Sequence, residues 1–387
     1  YSPAKQLSDT QYLLGSFAGG ATPAGQLCNG MRCFADADIF MAHSTLLRPY
    51  AEYLLGLLMS LQRVDGGNTI YFLGQIRESG GWIYFPVLFL IKETIPTLII
   101  VFLALVLALW WMLRRDKREG RGRWRRIIDY IGVNFAEFSM ALFVIIYWGY
   151  SMQAPLNIGF RHLLPTLPFI YILAAGVWRK WITQINLPMF GTGAAGGLAT
   201  AQSMFMSVAA TTRSLAKSFF AATLKYIFLI VLIIWLFLET AFAAPYFLSY
   251  FNEFAGGVWN GYHYVTDSNY DWGQDLLRLQ SWIDANPQVG TIAVDYFGGG
   301  EPSYYLGAKQ VGWNACMGNP EDQGIHWIAI SVNTLEGAIQ PLAPGQTRNA
   351  QCTYSWLTAL RPPGTGMGDV PTPDYRAGTS IFIYHLQ

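Results

Sequence analysis

Four stretches of this chain, 85–113, 130–150, 156–177 and 226–244, are long and apolar. Each can cross a hydrocarbon core of about 30 Å, which takes about 20 helical residues. A backbone in lipid must satisfy its own N–H and C=O groups, so such stretches fold as helices. The last has no charge from Tyr226 to Leu238. Burial in a soluble core is the alternative, but the chain is 52% hydrophobic and only 13% charged, and its apolar residues cluster. The expected fold is a polytopic α-helical membrane protein with about four transmembrane helices.

Charge sets the expected orientation. Arg114–Arg126 reads RRDKREGRGRWRR, and the link 178–225 carries Arg179, Lys180, Arg213, Lys217 and Lys225 with no acid. Basic short links stay cytoplasmic, so 114–129 and 178–225 are expected inside, and 1–83 and 245–387 outside. The basic run also invites a nucleic-acid reading, but its juxtamembrane position accounts for it more simply, and no nucleic-acid partner is expected. The chain opens on Tyr-Ser-Pro without a preceding span. An outside N-terminus then predicts a longer protein of which this is the C-terminal part.

Outside the spans, 37–62 carries apolar residues at helical spacing, suited to amphipathic helices on the membrane face. The link motif GTGAAGG at 191–197 lacks the Lys-Ser/Thr ending of a phosphate loop and reads as a hinge. Beyond 245 the composition turns soluble. A helix over 273–286 between strands 291–297, 326–332 and 380–385 predicts a small extracytoplasmic α/β domain. All four cysteines fall on the expected outer side, where disulfides form. Cys28 with Cys33 and Cys316 with Cys352 is the simplest of three pairings, with free thiols as the alternative. None of the five histidines stands at metal-ligand spacing from them, so no metal site is read there.

Lys92 and Glu93 in the first stretch, and Arg161 and His162 in the third, fall near the expected outer boundary. Charges there face a polar cavity or snorkel to headgroups. Two cations at that depth could hold a phosphate. Downstream, Asp267, Asn269 and Trp272 could contact a sugar, an acceptor or a divalent metal. Asp271 and Gln274 have capping-box spacing for the 273–286 helix, which favours a structural role for both.

These residues lie in Tyr71-Phe-Leu-Gly74, Gly81-Trp-Ile-Tyr-Phe-Pro86 with Lys92, Gly159-Phe-Arg-His-Leu-Leu-Pro-Thr-Leu-Pro168, and Tyr250-Phe-Asn252 followed by Asp267-Ser-Asn-Tyr-Asp-Trp-Gly-Gln-Asp275. In order and placement the chain resembles bacterial membrane glycosyltransferases of the GT-C class, related to protein O-mannosyltransferases and the lipid A aminoarabinose transferase. The resemblance implies an enzyme of the bacterial inner membrane. It would move a sugar from a polyprenyl-phosphate carrier to an extracytoplasmic protein or glycolipid acceptor. It further implies a catalytic acid in a first outer loop, which matches nothing here and is expected upstream of Tyr1. Arg161, then Lys92, with His162 in support, are the expected phosphate contacts. The competing expectation is a non-catalytic membrane subunit or transporter half whose outer domain binds a glycan or a partner.

Overall fold

The computed structural model describes residues 3–18, 30–66, 68–113, 123–157, 159–183 and 201–386. The hinge expected at 191–197, the basic residues 114–122 and Cys28 lie outside the described residues.

Three helices open the chain: α1 (Pro3–Ala18), α2 (Met31–His43) and α3 (Arg48–Gly66). They pack around Ala35, Leu55 and Leu58. Strands β1 (Ile70–Phe72) and β2 (Gln75–Arg77) then form an antiparallel hairpin. Its two turn residues, Leu73 and Gly74, both have positive φ, as a two-residue turn needs to match strand twist. A Cβ on Gly74 would also press on Met367.

Four helical segments are long and apolar enough to cross a membrane: Ile95–Leu113, Phe135–Gln153, Phe160–Thr183 and Leu215–Ala243. Between 6% and 22% of each is buried in the protein, so their apolar faces point outward. The expected boundaries change at every one. The first stretch splits into α4 (Tyr84–Lys92) and α5 (Ile95–Leu113), broken at Glu93-Thr94. Pro96 lacks an N–H and sits in the first turn of α5, where none is needed, but it cannot continue α4. Lys92 and Glu93 therefore lie ahead of a span and not two turns inside it. The second stretch divides at Asn134 into α6 (Arg123–Val133) and α7 (Phe135–Gln153). The third begins with a 3₁₀ segment, Phe160–Thr166, holding Arg161, His162 and Pro165, and continues as α8 (Leu167–Thr183). The fourth is the end of one 43-residue helix, α9 (Ala201–Ala243). The amphipathic helix expected over 203–225 and the span after it are thus one continuous element.

Helices α5, α8 and α9 share a small core of Ala104, Ala174, Trp178 and Ile182. The Trp178 indole donates to the Ile100 carbonyl (3.0 Å), and Lys225 Nζ donates to the Trp181 carbonyl (2.8 Å).

After α9 come the short α10 (Gly257–Asn260), α11 (Leu276–Ala285), β3 (Ile292–Asp295), α12 (Pro302–Leu306), β4 (Gln310–Gly312) and β5 (Trp327–Ser331). The chain closes with α13 (Val332–Ile339), α14 (Ser355–Leu360), β6 (Tyr375–Ala377) and β7 (Ile381–His385). The strands form one sheet in the order β4-β3-β5-β7-β6, parallel at β4-β3-β5 and antiparallel beyond. Three of its strands, β3, β5 and β7, match the expected strands.

Side chains alternate across the sheet with period two. Ile292, Val294, Ala329, Ile381 and Ile383 meet Leu276, Leu279 and Ile283 of α11. Ala293, Ile328, Ile330, Phe382 and Tyr384 face the other way, onto Val332, Leu335 and Leu357. That second core does not stop at the sheet. It runs through Phe251, Tyr262 and Tyr270 to Phe72, Tyr84, Phe85, Leu88 and Leu163. Hairpin, α4, the 3₁₀ segment and the sheet therefore share one apolar interior. Cys316 and Cys352 form the expected disulfide. Cys33 is disulfide-bonded as well.

Candidate functional site

The shared core brings α4, the 3₁₀ segment and the loop 264–275 to one place, and Asn269 ties them there. Its Oδ1 accepts from Phe160 N–H (2.8 Å), and its Nδ2 donates to Tyr84 Oη (3.0 Å) and the Thr266 carbonyl (3.2 Å). Its own carbonyl accepts from Lys92 Nζ (2.7 Å). Asn269 is fully buried, so its expected contact with a sugar gives way to this clasp. Gly159 has φ 143°, and a Cβ there would collide with Ser268 Oγ, so only glycine lets the 3₁₀ segment start this close to the loop.

Lys92 closes α4. Its ammonium also donates to the Leu248 carbonyl (2.9 Å) and lies 4.4 Å from the centre of the Phe251 ring. Burial pushes it down to about 7. An ammonium has three donors, so two carbonyls leave one for a ligand. Lys92 does not pair with its neighbour Glu93, which accepts from Tyr171 Oη (2.8 Å).

Arg161 is exposed, and its guanidinium stands 4.6 Å from the centre of the Trp272 ring. Among the described residues no carboxylate lies within ion-pair distance of it. His162 turns the other way. Its ring packs edge-on against Phe85 at 6.3 Å, and its buried Nε2 has no hydrogen-bond partner among the described residues.

Trp272 is half exposed, with the Phe297 ring edge-on at 6.3 Å. Asp267 has φ 57°, a region costly for a residue with a side chain. It is held by its N–H donating to Asn333 Oδ1 (2.9 Å) and by Asn68 Nδ2 donating to its Oδ2 (3.3 Å).

The capping box is not formed, because the helix starts three residues later than expected, at Leu276. Gly273 takes φ 78°, which ends any helical run from Asp271. Asp271 Oδ1 instead accepts from Gly273 N–H (3.0 Å). Gln274 bridges Trp272 N–H (2.8 Å) and the Tyr270 carbonyl (3.0 Å). Both residues brace the turn that presents Trp272. Asp271 is fully buried, and its Oδ2 has no hydrogen-bond partner among the described residues. Burial pushes its carboxyl up to about 7, against the pull of the Gly273 amide.

Arg161 and Trp272 thus meet at the surface beside the buried Asn269–Lys92 clasp, and His162 does not join them. Sequence reasoning missed Tyr84, Phe297, Asn68 and Asn333. Asn68 carried a signal in the Asp-Gly-Gly-Asn turn, and Tyr84 lay within the Gly81–Pro86 motif. Among the described residues, no three His, Cys, Asp or Glu side chains cluster as a metal site would require. No family model matches the chain, and no curated protein or solved structure matches it.

Proposed function

We propose that this chain is part of a membrane glycosyltransferase that moves a sugar from a polyprenyl-phosphate carrier to an extracytoplasmic protein or glycolipid. In this reading the protein sits in a bacterial inner membrane. Its basic links face the cytoplasm and its α/β layer lies outside, in line with the charge distribution.

The observation that carries the reading is the Arg161–Trp272 pair. An exposed guanidinium with no carboxylate partner among the described residues, stacked on a tryptophan at the head of an apolar helix, suits the phosphate of a lipid carrier. The remaining Lys92 donor would stand behind it. In the reaction the acceptor oxygen attacks the anomeric carbon while the bond from that carbon to the phosphate oxygen breaks. The electron pair leaves with the lipid phosphate, and the acceptor proton passes to a base. The cation is worth most at the transition state, where negative charge grows on the phosphate.

Transfer of a radiolabelled sugar from its polyprenyl phosphate to membrane acceptors tests this in the intact protein. Arg161→Ala should lower transfer at least about tenfold, or about 1.4 kcal/mol, at unchanged expression. Arg161→Lys, which keeps the charge and loses the planar fork, should recover part of it. Equal transfer by wild type and Arg161→Ala would refute the assignment and favour a non-catalytic membrane subunit.

A further inference from the structure

We infer that the cleft between the β1–β2 hairpin and the carboxyl ends of β3 and β5 is a binding subsite for a neutral saccharide. Resting on the glycosyltransferase reading, it would be the place where a carbohydrate acceptor lies.

The cleft has the position expected of a site. In open sheets with parallel strands, ligands bind in the crevice outside the carboxyl ends of those strands. Phe297, two residues beyond β3, and Asn333, in the first turn after β5, form one wall. The hairpin residues Tyr71 and Ile76 form another, and Asn68, Thr266 and Asp267 complete the lining. The cavity measures about 240 Å³. That is below the roughly 300–1,000 Å³ of pockets for drug-sized ligands, and suits a single ring.

The lining chemistry selects the ligand. No Lys or Arg is among the lining residues, and Asp267 is their only carboxylate, so neither an anion nor a divalent cation is matched. A carboxylate accepts hydroxyl protons, and the side-chain amides of Asn68 and Asn333 both donate and accept. Phe297 offers an apolar ring face, and sugars present hydroxyl edges and C–H faces to such sets. Thr266 makes the strongest point. It is 99% buried, its Oγ1 has no hydrogen-bond partner among the described residues, and the residue lines this cleft. A buried hydroxyl left unmatched costs about 1–3 kcal/mol, a cost that a hydroxyl-bearing ligand removes. Through Phe297, then Trp272, the cleft adjoins Arg161. A neutral subsite beside a cation is what transfer between a phosphate carrier and a sugar acceptor requires.

The test uses the purified full chain in nanodiscs. The probes are the methyl glycosides of glucose, galactose, mannose and N-acetylglucosamine, with inorganic phosphate as the control. Binding is read by tryptophan fluorescence and by saturation-transfer NMR. At least one glycoside should bind saturably. Thr266→Val keeps the shape and removes only the unmatched hydroxyl, so it should fold as well as wild type yet bind that glycoside about threefold to tenfold more weakly. Failure of all four glycosides to bind, or equal binding by Thr266→Val and wild type, would overturn the subsite. Saccharide binding with Arg161-independent transfer would keep the subsite and remove the phosphate assignment. An Arg161 effect on transfer without saccharide binding would do the reverse.

Discussion

Replacing Asp275 with alanine should loosen the α/β layer at the point where α11 meets β7. Asp275 is fully buried, and its Oδ2 accepts from Thr379 N–H (2.8 Å), Ser380 N–H (2.8 Å) and Ser380 Oγ (2.9 Å). Arg278, one turn along α11, is paired with the other oxygen. Thr379 and Ser380 are themselves fully buried, so neither can turn to water for an acceptor. Two backbone amides stranded at about 1–3 kcal/mol each make a loss of about 2–6 kcal/mol. Asp275→Asn keeps one oxygen for the two amides but sets its NH2 against Arg278, and should lose about 1–3 kcal/mol. Amide hydrogen exchange over Leu276–Ala285 and Ile381–His385 measures this in the intact chain, since local opening reports local stability. At a factor of ten per 1.4 kcal/mol, the alanine variant should exchange at least about thirtyfold faster in both elements. Exchange within about threefold of wild type in both, less than about 0.7 kcal/mol, would show that the carboxylate does not join them.

Asp271 gives a pH prediction with a definite sign. Its folded carboxyl titrates at about 7, above its ordinary 3.8, so the folded state holds a proton that the unfolded state has released. Stability should therefore fall as pH rises from about 4 to 7, by up to about 4 kcal/mol. Asp271→Asn should remove this dependence and be more stable than wild type in denaturation at pH ~8; an unchanged slope would contradict the burial argument. For the Cys316–Cys352 disulfide, with a sequence separation of 36, replacing both cysteines by alanine should cost about 3–4 kcal/mol by chain entropy. Urea unfolding under oxidising conditions checks it, and a midpoint equal to wild type would count against it.

What the sequence revealed and what it hid follow from the range of the forces involved. The four apolar segments were legible because a hydrocarbon-length run is a local property. Strands β3, β5 and β7 were legible from their β-branched and aromatic residues, whereas β4 and β6 have three residues each and depend on a neighbour for their existence. The breaks were misjudged where hydropathy and geometry disagree. Hydropathy joins 85–113 into one stretch, yet Tyr84, Phe85 and Leu88 find an apolar partner in the sheet's core and leave the span altogether. The Asp271–Gln274 spacing was seen correctly, but Gly273 at positive φ turned a helix cap into a turn brace. Asn269 looked like a ligand contact because no local signal shows that Tyr84 and Lys92 of α4 and Phe160 of the 3₁₀ segment converge on it. The cleft was invisible for the same reason, its lining coming from separate parts of the chain.

Helix α9 is a lever. At 1.5 Å per residue its 43 residues make a rod of about 65 Å, twice the thickness of a hydrocarbon core, so about half of it must lie outside any bilayer it crosses. One end leads into the α/β layer, and Lys225 anchors it to α8 near the middle, at the Trp181 carbonyl. A tilt of 10° about a fixed end would carry the other end through about 11 Å. With a fulcrum at Lys225, a small rocking of the α8 contact at one end of the helix bundle appears as a displacement of several ångströms at both tips.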